Sequence, residues 1–162
     1  MFNSSQEFTL VKFLLTRDNY NKYYKFIKAL NLEQETKLLT SSIASYFEEY
    51  KEAEDISVDN LLLFINTKNP VAKQGEIFNA IIDKLSKTSI NDTLIKENFN
   101  SILEYYYGTE LLYLITDSIE DKKSGFLDRA SNILDDFQEV KIKVLNKEDK
   151  FVSNNILELV KK

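Results

Sequence analysis

The stretch NDTLIKENFNSILEYYYGTELLYLITDSIED, residues 91–121, contains no proline and a single glycine, Gly108. With Asn91 or Asp92 as cap it predicts one long helix, or two with a kink at Gly108. Ile95, Phe99, Ile102, Tyr106 and Tyr113 make one apolar stripe of helical period, and Leu103, Tyr107, Leu111, Leu114 and Ile115 make a neighbouring one. Two adjoining stripes need two partners. After the turn Lys122-Lys123-Ser124-Gly125, the residues Phe126, Leu127, Ala130, Ile133, Leu134 and Phe137 recur at helical spacing, and so short a connection makes the two helices antiparallel neighbours.

The second helix of this hairpin can cover only one of the two stripes. The other either folds back onto the preceding helices as ordinary core or is covered by a second copy of the chain. Self-association through the hairpin is expected, with Phe99, Ile102, Leu103, Tyr106, Tyr107, Leu111, Leu114, Phe126, Ile133 and Phe137 as interface residues.

Upstream, five shorter amphipathic segments follow one another. Phe8, Val11, Leu14 and Leu15 stripe a helix from about Ser5 to Thr16, capped by Ser4 or Ser5. Asp18 can cap a second, with Tyr20, Tyr23, Tyr24, Ile27 and Leu30 on one side and Lys22, Lys25 and Lys28 elsewhere. Leu39, Ile43, Tyr46, Phe47 and Tyr50 line a third between about Glu33 and Glu52, and Glu52-Ala53-Glu54-Asp55 reads as a loop. Ser57 is a good N-cap for a fourth helix with Leu61, Leu62, Phe64 and Ile65, which Asn69-Pro70 should stop. A fifth holds Ile77, Phe78, Ile81, Ile82 and Leu85 and ends in Ser86-Lys87-Thr88-Ser89.

Downstream, Val140 to Lys150 is charged and mixed and reads as a linker, after which Asn154 or Asn155 can cap a short last helix with Ile156, Leu157, Leu159 and Val160. The expected fold is all-α: a helical head over residues 1–89, a helical hairpin of the same domain over 90–140, and a linker with a short linker helix over 141–162.

Composition agrees with helices and removes whole chemistries. At 162 residues the chain is about one domain, and three Gly and one Pro leave little for the tight turns of an all-β fold. With no Cys and no His, thiol and Ser-His catalysis, disulfides and zinc or haem sites built on those residues are excluded. The 26 acidic residues outnumber the 21 basic ones, for a net charge of −5, so tight binding of nucleic acid by phosphate neutralisation is not expected and any DNA contact would be indirect. No apolar run reaches the roughly 18 residues of a spanning helix, and Met1 to Glu7 lacks the order of a signal peptide. The expected location is cytoplasmic.

Gly75, Gly108 and Gly125 are isolated and build no phosphate cradle. Glu48-Glu49 and Asp135-Asp136 are adjacent acids that diverge by about 100° on a helix and read as solvated faces rather than a catalytic or metal pair. Tyr105, Tyr106 and Tyr107 lack the surrounding Lys and Arg of a base-stacking platform and read as packing, in part at an interface. Lys22, Lys25 and Lys28 read as a polar outer face. No catalytic, cofactor or metal residues are assigned.

The order of these segments resembles the N-terminal domain of replicative hexameric helicases of the DnaB type, especially divergent phage versions of the T-even kind. The resemblance rests on Gln6 to Leu15 as a first helix, on Leu38 to Tyr50 followed by Ile56 to Leu63, and on the hairpin Asn91–Asp121 with Phe126–Glu139. Val140 to Lys162 falls where that family has its linker and linker helix. The early Pro and the His of many bacterial members have no counterpart here.

The resemblance implies a collar and oligomerisation domain, assembled as a dimer or trimer of dimers and receiving primase or a helicase loader. It implies no enzyme activity in this chain. ATP and Mg would belong to a motor domain that this chain does not contain. Two other readings stay open: a stand-alone phage adaptor or helicase loader acting on helicase or primase in trans, and a phage regulator whose helical fold is only analogous.

Overall fold

The computed structural model describes residues 2–68 and 72–145. The fold is all-α: among the described residues there are seven helices and no strand, α1 Ser4–Phe13, α2 Arg17–Lys28, α3 Gln34–Glu49, α4 Val58–Lys68, α5 Ala72–Lys87, α6 Asp92–Glu120 and α7 Phe126–Leu145. No described helix is long and apolar enough to cross a membrane. The chain divides into two compact units, one through Ile95 and one from Lys96.

In the N-terminal unit α1 is the central element, touching α2, α3 and α5, while α3 packs on α2 and α4 and α4 on α5. Phe8, Val11 and Leu14 of the α1 segment are fully buried with Ile27, Leu39, Ile43, Leu61, Ile65 and Leu85. Each such side chain contributes about 1.5–3 kcal/mol by leaving water. Phe26, off the stripe expected for α2, is buried as well, and Tyr20, Tyr23 and Tyr24 are only half-buried.

The start of α1 is set by Asn3 rather than by Ser4 or Ser5. Its side chain accepts from the Gln6 N–H at 2.9 Å, and the Gln6 side chain accepts from the Asn3 N–H at 2.9 Å. This reciprocal capping box satisfies two donors at once, which a serine one residue later cannot do in this register. α2 begins at Thr16, which makes no side-chain cap bond, rather than at Asp18. Ser57 caps α4 as expected, its hydroxyl accepting from the Asn60 N–H at 3.1 Å. The expected stop at Asn69-Pro70 lies outside the described residues.

Two polar devices join segments far apart in sequence. Glu33, the N-cap of α3, makes no side-chain cap bond of its own. Glu7 of α1 supplies one instead, its buried carboxylate accepting from the Glu33 N–H at 3.2 Å and from the Thr36 hydroxyl at 2.6 Å. A carboxylate at the positive end of a helix dipole satisfies donors that would otherwise be stranded in the core. At the other end of α3, the Arg17 guanidinium donates to the carbonyls of Phe47, Tyr50 and Ala53 and lies 4.5 Å from the Phe47 ring centre. With Ile56 N–H to Leu15 carbonyl at 2.8 Å and Arg17 N–H to Glu54 carbonyl at 2.7 Å, it ties the α3–α4 turn to the α1–α2 corner.

The C-terminal unit is a helical hairpin. α6 runs unbroken through Gly108, where an added Cβ would meet nothing within 4 Å, so the kink considered for that position does not divide the helix. α6 ends in a Schellman turn. The Lys123 N–H donates to the Ser118 carbonyl at 2.9 Å and the Lys122 N–H to the Ile119 carbonyl at 3.3 Å, with Lys122 at φ 54° in the left-handed position that glycine usually fills. Gly125, at φ 78°, then leads into α7.

α7 continues to Leu145, correcting the expectation of a linker from Val140. Val140 extends the half-buried stripe of Phe126, Ile133 and Phe137 by one more turn, and Lys143 pairs with Glu139 at 2.7 Å across one turn. The linker-helix residues Ile156, Leu157, Leu159 and Val160 lie outside the described residues.

Candidate functional site

The hairpin is registered by Tyr107. This buried tyrosine donates its hydroxyl to Asp136 Oδ2 at 3.0 Å, and its ring centre lies 5.6 Å from that of Phe137. Burial raises the Tyr107 phenol above its ordinary value, and the bond to Asp136 and that carboxylate's charge raise it further. Tyr106, edge-on to Tyr107 at 5.0 Å, is shifted the same way, first by burial and then by its hydrogen bond to Glu110.

Tyr107 marks the side of α6 that faces α7. At about 100° per residue, Leu103, Leu111, Leu114 and Ser118 fall within about 40° of it. Leu103 and Ser118 are buried, and Leu111 and Leu114 half-buried. The residues expected at an interface therefore separate into two groups. Phe99, Ile102, Leu103 and Tyr107 are buried within one copy of the chain, whereas Tyr106, Leu111, Leu114, Phe126, Ile133 and Phe137 are half-buried.

The apolar side chains of the hairpin that one copy leaves in water include a different set. Leu112 and Ile119 are 65% and 63% exposed, Leu127 and Leu134 71% and 49%, and Ile115 is exposed beside them. On α6, Leu112, Ile115 and Ile119 lie about 80–140° from Tyr107 on one side, the side that also holds Gly108. On α7, Leu127 and Leu134 lie about 80–100° from the stripe of Phe126, Ile133 and Phe137. Both helices are right-handed but run in opposite directions, so viewed from one end their residues progress around the axes in opposite directions and both sets come to the same flank of the hairpin.

From Gly108 to Ile119 on α6 and from Leu127 to Leu134 on α7, this flank contains no ionisable side chain. The other flank holds Glu110, Asp117, Glu120 and Glu139, together with Tyr113, which is also exposed. The signal for the apolar flank was present in the spacing Leu112, Ile115, Ile119. It was masked by the two stripes on either side, which leave α6 apolar around most of its circumference.

The remaining candidates make local contacts. Glu48, Glu49, Asp135 and Asp136 are all exposed, Glu49 pairing with Lys68 at 2.8 Å and Asp136 taking the Tyr107 hydroxyl. Lys22 pairs with Asp18 at 2.7 Å, Lys25 lies over the Phe26 ring and Lys28 over the Tyr24 ring. Among the described residues no group of three or more acidic side chains is placed to hold a metal ion. In comparisons with known proteins, no protein-family model, no curated protein and no solved structure matches this chain.

Proposed function

We propose that this chain is the N-terminal collar and oligomerisation domain of a DnaB-type replicative DNA helicase, a phage-like one, with no motor of its own. The observation that carries the reading is the charge-free apolar flank of the hairpin, Leu112, Ile115 and Ile119 beside Leu127 and Leu134. Large contiguous apolar surface is expensive to leave in water, and a second copy presents an identical patch that covers it self-complementarily. The order of segments, a helical head followed by a long-armed hairpin, supports the family assignment.

On this reading the hairpins pair copies into a dimer or a trimer of dimers, holding the motor domains around DNA. Those motors bind the ATP and Mg, and the collar receives primase or a loader. Its net charge of −5 suits a part that organises the ring without gripping the strand.

Size-exclusion chromatography with light scattering at tens of micromolar tests the reading. The chain is expected to elute as a dimer or larger. Leu112→Asp and Leu127→Asp are each expected to weaken association by at least about tenfold, since a charge placed in an apolar contact costs more than 1.4 kcal/mol. Helicity by circular dichroism is expected to stay unchanged, because both positions are exposed in one copy. A monomeric wild-type chain would overturn the reading. A stand-alone adaptor or loader is distinguished by remaining monomeric while binding a helicase or primase supplied in trans.

A further inference from the structure

A second surface lies wholly within the N-terminal unit and owes nothing to the hairpin. α3 and α4 are bridged by the Glu49–Lys68 ion pair at 2.8 Å. Two hollows share Glu49, Phe64 and Lys68 as a common wall. One, of about 620 Å³, is lined by the serines Ser41, Ser42 and Ser45, and the other, of about 340 Å³, by Tyr46, Tyr50 and Leu63. Tyr46 stands at the centre of an aromatic group, 4.8 Å from Tyr50 and 5.3 Å from Phe64. At its edge two apolar side chains are left in water, Leu63 at 66% and Tyr50 at 47% exposure.

The surroundings are strongly acidic. Between residues 48 and 59 the exposed side chains include Glu48, Glu49, Glu52, Glu54, Asp55 and Asp59 against the base Lys51, while Lys68 of the groove wall is paired to Glu49. Glu48 and Glu49 line the hollows, Glu52, Glu54 and Asp55 follow in the turn after α3, and Asp59 is in the first turn of α4. A groove between two helices that exposes Tyr50 and Leu63 and is joined at one end by a carboxylate-rich turn is complementary to a helix with leucine-like side chains on one face and lysine or arginine beside them. The same carboxylates repel nucleic acid. Among the described residues, α2 of a second copy is not such a helix. It carries the basic stripe Lys22, Lys25 and Lys28, but its apolar residues Phe26 and Ile27 are already buried.

We propose that the α3–α4 groove is a docking site for a basic amphipathic helix of a partner polypeptide, whose aliphatic side chains seat on Tyr50 and Leu63 while its cations face the acidic turn. The probe is a synthetic leucine–lysine amphipathic peptide, compared with a leucine–glutamate peptide of the same pattern. Binding to the full chain is followed by fluorescence anisotropy and by amide chemical-shift mapping. The leucine–lysine peptide is expected to bind, with shifts concentrated at Tyr46, Tyr50, Leu63 and Phe64. Leu63→Asp, at an exposed position that does not threaten the fold, is expected to weaken it by about tenfold or more. The double substitution Glu52→Lys with Asp59→Lys should weaken it as well, and the leucine–glutamate peptide should not bind.

No binding, equal binding of both peptides, shifts centred on the hairpin, or wild-type affinity in Leu63→Asp would each overturn the proposal. Failure here is separable from failure of the collar reading. Leu63→Asp should leave the oligomeric state intact, and Leu112→Asp should leave peptide affinity intact.

Discussion

The two units use similar amphipathic helices and arrive at opposite outcomes. In the N-terminal unit the apolar stripes of five helices converge, so that Val11, Leu14, Ile27, Leu39, Ile43, Leu61 and Leu85 are sealed from water. In the hairpin two helices face each other, and two helices can close only one seam. Leu112, Tyr113, Ile115 and Ile119 on α6 and Leu127, Leu134 and Ile142 on α7 remain exposed. What decides whether an apolar residue becomes core or contact surface is therefore the number of neighbours its helix has, and composition alone does not specify it.

This contrast can be broken most severely from the head. Leu61→Ala removes a fully buried side chain, and thermal or denaturant unfolding is expected to register a loss of about 2–5 kcal/mol. Association through the hairpin would change only as far as the unit unfolds. Arg17→Ala is expected to cost about 2 kcal/mol, because three carbonyls of the α3–α4 turn lose a cationic donor together. Arg17→Lys should recover only part of that loss, since one ammonium lacks the planar fork that reaches all three. If lysine restored full stability, the fork geometry would be irrelevant.

The hairpin answers to smaller changes. Tyr107→Phe deletes the bond to Asp136 while keeping the ring against Phe137, and about 0.5–1.5 kcal/mol should be lost from the hairpin. The same tyrosine carries a pH signature. Its folded pKa is raised, so its contribution is fully present below the ordinary tyrosine value of about 10 and is lost as pH climbs through the higher folded value. Stability measured from neutral pH upward should fall in that alkaline range, and Tyr107→Phe should flatten the fall.

At the small end, Lys122→Gly should stabilise the chain by about 0.5–1 kcal/mol, because glycine takes the left-handed conformation without steric cost. A destabilised Lys122→Gly chain would mean that the lysine side chain, rather than the backbone, holds the turn.

Local devices were readable where both partners sit within a turn of one another. Ser57 as the cap of α4 follows from the residue before an apolar run, and the break at Lys122 to Gly125 follows from composition. The cap expected at Ser4 or Ser5 falls at Asn3, because all three side chains have capping chemistry and only the reciprocal bond with Gln6 selects among them. The Glu7 carboxylate at the head of α3 had no local signal, since its partners Glu33 and Thr36 lie 26 and 29 residues away. The extension of α7 to Leu145 was obscured by the charges of Val140 to Leu145, which an i, i+4 pair makes compatible with helix. On α6 the buried and exposed apolar faces could not be told apart, because hydrophobic residues occupy nearly every direction around it.

By itself, the amino-acid order determined that this protein is helical, where most of its helices begin, and that its C-terminal arms fold back as a hairpin. Those outcomes depend on backbone angles, caps and periodicity within a few residues. Only the tertiary structure decided that Phe99, Ile102 and Leu103 are enclosed while Leu112, Ile119 and Leu127 face water, and that Glu7 and Arg17 fasten the two ends of α3. Burial and long-range capping depend on which helices meet in space, a quantity that hydrophobic spacing along one segment does not contain.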